Sequence, residues 1–284
     1  MAGNNPVFSR FEQKVKKDGY TGFGRGGTSP TGAYPGPPSA MSQRDLDTMY
    51  QGPPAGPRET GRLTLDDVVM KTLGLFVLVL ASAGVSWFVT QSSPGLTMPV
   101  WIGGMLLGLV VGIAIAFMKS VSVPLIVLYS VLEGAFLGAF SRVIEQTPQY
   151  AGIVPTAVVA TLATFAGMFL GYKVGLIKVT SKSRRIFGMA AMGYLLFSLV
   201  NVVGLFAGWT NGWGFGGSGI IGIGISVLGV GLASYSLAID FDSIDQAVRM
   251  QVPEKYSWLL AHGLIVSLVW LYIEIVRLLA RLRD

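Results

Sequence analysis

The 284-residue chain is 51% hydrophobic and only 13% charged, a balance that a water-soluble domain of this size has no core large enough to hide, so a lipid bilayer is its natural solvent. With no cysteine and a single histidine, His262, it lacks the material for disulfide frameworks, thiolate nucleophiles and cysteine- or histidine-based zinc sites. Its net charge of +6 reads as the basic side of a membrane protein and not as a nucleic-acid surface.

Residues 1–62 come first and hold eleven glycines and eight prolines, a composition unable to bury enough apolar surface to offset the entropy of ordering. They are expected to form a disordered tail. Because no apolar signal-peptide segment opens the chain, the tail is expected to stay cytoplasmic, with the first membrane helix as insertion signal and the plasma membrane as destination. Residues 63–284 form the expected membrane domain.

Thr64-Leu65-Asp66-Asp67 has the form of a capping box and marks the start of the bundle. Apolar runs near 20 residues long then predict seven helices over 68–90, 99–118, 121–144, 153–177, 186–208, 218–241 and 257–279. The fold class is therefore all-α, an integral bundle of seven transmembrane helices. Runs such as Leu73 to Leu80 show no period-two alternation, which excludes a membrane barrel.

Arg58, Arg62, Lys71, Lys119, Lys178, Lys182, Arg184 and Arg185 fall on one side of these spans, which the positive-inside rule assigns to the cytoplasm. Trp87, Trp101, Trp209 and Trp213 suit the membrane interfaces. Seven spans leave basic Arg277, Arg281 and Arg283 outside, against that rule. Either the first helices dominate topology, the reading adopted, or the last segment is re-entrant.

Glycines recur at four-residue spacing as Gly104, Gly108 and Gly112, as Gly134 and Gly138, and as Gly167, Gly171 and Gly175, all read as close helix packing. Gly214 to Gly219 fits G-x-G-x-x-G, but no strand precedes it, so it reads as a loop. No nucleophile elbow, P-loop or HExxH helix occurs, and no enzyme is expected.

Intramembrane acids are the stronger lead, since ionisable groups at that depth face the bundle interior or a water-filled cavity. Glu133 lies near the middle of the third span. Glu274 lies in the last, with Arg277 three residues on as a local partner. Asp240 opens an acidic run with Asp242 and Asp245, and these last two read as a solvated cytoplasmic extension with Asp245 paired to Arg249. His262 reads first as a hydrogen-bond partner inside the bundle and second as a proton carrier.

The chain resembles the Bax inhibitor-1, or transmembrane Bax-inhibitor-motif, family of seven-helix membrane proteins. Leu271-Tyr272-Ile273-Glu274-Ile275 is similar to its last-helix L-Y-L-D-F motif, with glutamate in place of aspartate. Asp240-Phe241-Asp242-Ser243-Ile244, with Tyr235 upstream, is similar to its sixth-helix D-T-Q-x-I motif, and Glu133-Gly134 with Gly138 to its third-helix acid-glycine segment. The resemblance covers about residues 64–279 and implies that Asp240 and Glu274 share a proton and gate a pH-sensitive calcium leak; in the leak reading adopted here Glu133 is an accessory polar site.

Two carboxylates held close cannot both ionise cheaply, so such a pair is a proton-operated latch. For Asp240 to touch Glu274, helix six must start later and enter deeper than the hydropathy spans place it. The expected partners are the lipid bilayer, calcium or another cation, and no nucleic acid. No cofactor is expected beyond transient calcium. The alternative reading is a non-enzymatic membrane protein that regulates another membrane complex, such as a quality-control protease, with the tail as its docking arm.

Overall fold

In the computed structural model, the residues described are 61–209, 214–217 and 219–284, so the expected tail over residues 1–60 and the placement of Trp213 lie outside them. Among the described residues, seven helices are each long and apolar enough to cross a membrane. They are α1 (Leu65–Ser92), α2 (Thr97–Phe117), α3 (Val123–Gln146), α4 (Ile153–Lys173), α5 (Ser181–Phe206), α6 (Ile220–Arg249) and α7 (Ser257–Arg281). The expected fold class is thus observed, with no strand among the described residues beyond one isolated bridge between Arg62 and Pro253.

Local chemistry sets the helix ends, and it explains where hydropathy misplaces them. At α1 the predicted capping box forms: the Asp67 amide donates to Thr64 Oγ1 at 3.2 Å, and the Thr64 amide donates to Asp67 Oδ2 at 3.0 Å. Helix α5 begins five residues before its apolar run, because Thr180 and Ser183 cap each other's amides in the same reciprocal manner. Helix α4 stops at Lys173, four residues early, where Gly175 takes a left-handed φ of +77° and its amide closes on the Tyr172 carbonyl at 3.0 Å.

Helix α6 runs eight residues past its predicted end, carrying Asp242 and Asp245 on continuous helix. These acids are not a simple solvated extension. Asp242 forms an ion pair with Arg184 of α5, accepts from Gln246 at 2.7 Å, and receives the Tyr172 hydroxyl at 3.3 Å. Asp245 accepts from that same hydroxyl at 3.2 Å and pairs with Arg249 at 3.9 Å, the one contact expected of it.

Helix α7 is the core of the bundle and is mostly buried, whereas α5 is mostly exposed and packs at the periphery against α6. Around α7 stand α1, α3, α4 and α6. The buried face includes Leu264, Leu268, Leu271 and Ile275, which meet Leu237, Phe241 and Ile244 of α6 in one apolar cluster.

Two of the three glycine stripes pack as expected. On α2, an added Cβ at Gly104 would meet Phe136 at 3.0 Å, and one at Gly112 would meet Tyr129 at 3.1 Å. On α3, a Cβ at Gly138 would meet the Ala83 carbonyl and, at 2.8 Å, Ser86. The third stripe does not pack on another helix: Gly167 has nothing within 4 Å, Gly171 meets only Ile177 in the turn that follows the helix, and Gly175 is the helix stop. Periodicity shows which residues share a face but not whether another helix lies against it.

The carboxyl-terminal arginines find partners where the last helix ends. Arg281 donates to the Gly222 carbonyl at 2.5 Å and to Ser226 at 2.8 Å, while Arg283 donates to the Ala151 carbonyl at 2.6 Å. At the other end of α7, Lys71 pairs with Glu254 at 2.9 Å. Helix α7 therefore runs unbroken from one end of the bundle to the other, as a spanning helix does and a re-entrant segment does not. The basic terminus sits opposite the loop joining α6 to α7, held by carbonyls and hydroxyls.

Candidate functional site

Among the described residues, the acids singled out from sequence inside the bundle stand in three places. The first surrounds Glu274, which is only 2% exposed. Its Oε2 accepts the Tyr194 hydroxyl of α5 at 2.7 Å, and its Oε1 accepts the Trp270 indole N–H at 3.2 Å. The expected local pair with Arg277 is present at 3.3 Å, and the same guanidinium donates to Tyr194 Oη at 3.2 Å. A carboxylate so deep needs such a set, because an unpaired buried charge is strongly unfavourable.

Small residues on α6 make room for this cluster. Glu274, Arg277 and Arg281 occupy one face of α7 and lie along Gly229, Ser226 and Gly222 of α6. An added Cβ at Gly229 would meet both Glu274 Oε2 and the Tyr194 hydroxyl at 2.5 Å, so glycine is required there by a close approach.

The second place holds Asp240, partly buried on α6, whose Oδ2 accepts from Ser267 of α7 at 2.5 Å. Gly263 of α7 lies below it, its would-be Cβ 3.6 Å from Oδ1. Asp240 and Glu274 do not touch. Asp240 stands at the level of Ser267 and Gly263, and Glu274 at the level of Gly229. With a rise of about 1.5 Å per helical residue, those levels are about 10–16 Å apart along the seam. Helix α6 starts at Ile220, near its predicted start, and the deeper placement that contact required is not found. Ala233, Leu237, Leu268 and Leu271, all buried, fill the interval.

The third place joins Glu133 to His262 through Tyr129. Glu133 lies beside the Tyr129 hydroxyl one turn earlier on α3, and it faces α2, where a Cβ at Gly108 would sit 3.2 Å from its Oε1. The Tyr129 ring meets His262 of α7 edge-on at 4.5 Å. His262 is buried, and among the described residues its Nδ1 has no hydrogen-bond partner.

Of the residues singled out from sequence, Glu274 and Arg277 stand together, Glu133 and His262 share the third place, Asp240 meets none of the others, and Asp242 belongs to the outer network with Arg184. Tyr235 meets neither acid; its ring lies 5.8 Å from Phe187. Sequence reasoning missed Tyr194, Trp270, Ser267 and Gly229. Tyr194 and Ser267 each carried a weak signal, a hydroxyl inside an apolar run, which does not say which group it meets. Among the described residues, no three acidic or histidine side chains converge as a metal cage.

A seven-helix membrane bundle with ionisable side chains at several depths defines the class: a polytopic integral membrane protein whose lipid environment follows from its spans. The chain belongs to the Bax inhibitor 1 like family, whose profile matches residues 5–284. That match extends the likeness into the amino-terminal tail, beyond the part covered by the individual motifs. Comparison with curated proteins gives no match.

Proposed function

We propose that the chain is a non-enzymatic, pH-sensitive cation leak, with calcium as the leading permeant ion and the α6–α7 seam as its path. The supporting observation is the order of groups along that seam. Asp240 lies on one side of a buried stretch of leucine and alanine, and Glu274 on the other. In this reading the acids are two stations in series, and the apolar stretch between them is the closed gate. A dry constriction flanked by carboxylates stops ions by dewetting and admits them when the packing shifts.

Protonation supplies the shift. Neutralising Asp240 weakens its hold on Ser267, and neutralising Glu274 releases Arg277 and Tyr194, so both events alter α6–α7 packing. A calcium cage needs six to eight oxygens, more than either station offers, so the ion passes with much of its water. Glu133, with Tyr129 and His262, serves as an accessory polar site apart from the seam.

The test is calcium flux into liposomes holding the full chain from pH 5 to 8, with wild type beside Asp240→Asn and Glu274→Gln. The reading expects a pH-dependent flux whose midpoint moves in each variant. Flux no greater than that of empty liposomes overturns it and directs attention to a membrane protein partner.

A further inference from the structure

Away from the acids, a cleft of about 250 Å³ lies between α1 and α4, floored by α3 and α7. Its walls are apolar, with Phe76 and Leu80 on one side and Val158 and Leu162 on the other. The few hydroxyls that border it are already committed. Ser141 and Tyr272 bind each other at 2.7 Å, and Thr161 donates to the Ala157 carbonyl at 2.7 Å. The rim residues Leu80, Val158 and Leu162 are exposed, which in a membrane means that the cleft opens sideways into hydrocarbon.

One end of the cleft is charged. Trp87, the lining residue nearest the end of α1, lies under the Arg142 guanidinium, 5.6 Å from the ring centroid. With the Gln146 amide oxygen turned toward it, Arg142 donates there at 3.0 and 3.2 Å, and among the described residues no carboxylate stands within ion-pair distance of it. A guanidinium has five N–H donors in a planar fork suited to phosphate, so the remaining donors are available to an anion. Arg142 and Trp87 both stand within the last turns of their helices, on the face that also holds the carboxyl terminus, at the depth of lipid headgroups.

We propose that this cleft is a phospholipid site. One acyl chain of a lipid in the leaflet on the carboxyl-terminal side lies between α1 and α4, and its phosphate rests on Arg142. The site is independent of the leak proposed above.

Photolabelling of the full chain tests it, in phosphatidylcholine vesicles containing a small fraction of phosphatidylglycerol that carries a diazirine midway along one acyl chain. Adducts mapped by mass spectrometry are expected on Leu80, Val158 and Leu162. Gly84→Leu fills the cleft from a position where an added Cβ meets nothing within 4 Å, and Gly74→Leu adds the same bulk to α1 at an equally open position away from the cleft. The first variant is expected to remove those adducts and leave labelling of other helices intact, while the second changes nothing. Arg142→Gln is expected to weaken competition by unlabelled phosphatidylglycerol about fivefold, the effect of one interfacial cation.

Adducts spread evenly over the lipid-facing residues, adducts in the cleft unchanged by Gly84→Leu, or no adducts there because a second copy covers it would each overturn the acyl-chain assignment. Unchanged competition in Arg142→Gln would overturn the phosphate assignment.

Discussion

The α1–α3 seam and the α6–α7 seam are both extensive helix pairs, but they are held by different materials. Between α1 and α3 the contact is backbone on backbone. Gly134 and Gly138 admit the carbonyls of Val79 and Ala83, while Ser82 and Ser86 donate across to the Val131 and Ala135 carbonyls, each at 2.7 Å. Between α6 and α7, glycine and serine face charged side chains: Gly229 faces Glu274, Ser226 faces Arg281, and Ser267 faces Asp240. Lipid offers no hydrophobic drive for helix association, so each seam depends on close fit or on polar bonds. These contacts in the first seam involve no ionisable group, and those in the second involve three, Glu274, Arg281 and Asp240. A bundle that moves with pH is expected to move at the second.

The largest effect that would sharpen this contrast is loss of the deepest acid. Glu274→Ala leaves Arg277 and Tyr194 without their acceptor and is expected to destabilise the bundle by about 3 kcal/mol, read by denaturant unfolding in mixed micelles. Next comes the backbone seam, where Gly138→Ala drives a Cβ into the Ala83 carbonyl. It is expected to cost about 2 kcal/mol in the same assay, with no change in the pH dependence of stability. A pH-dependent loss in this variant would break the distinction between the seams.

Smaller effects follow at the edges. Asp242→Asn removes the ion partner of Arg184 and is expected to cost about 1 kcal/mol, a loss that a second change, Arg184→Gln, does not deepen, because the pair acts as one unit. Ser86→Ala removes one hydroxyl-to-carbonyl bond across α1 and α3 and is expected to cost about 0.6 kcal/mol, the usual worth of such a bond in a membrane.

Features that depend on local order were legible in the sequence. The seven spans, the Thr64 cap and the Glu274–Arg277 pair each lie within a short stretch of chain, where apolar length, capping chemistry and helical spacing are the deciding physics. Features that depend on which helix faces which were not. Asp242 meets Arg184 from 58 residues away across a separate loop, so the acidic run looked solvated. Tyr194 meets Glu274 across 80 residues, and nothing in its own neighbourhood marks it as the acid's partner. The resemblance pointed to Asp240 and Glu274 as a pair, but pairing depends on helix register, and the register sets them at separate levels with leucine and alanine between.

That separation is the central claim, and a double-mutant cycle tests it most directly. Wild type, Asp240→Asn, Glu274→Gln and the double variant are compared for the pH midpoint of calcium flux in liposomes. Sites more than about 7–10 Å apart without shared partners act additively to within about 0.5 kcal/mol, so the account predicts that the shift in the double variant equals the sum of the single shifts. A double variant that behaves like either single variant, as two acids sharing one proton require, would contradict it.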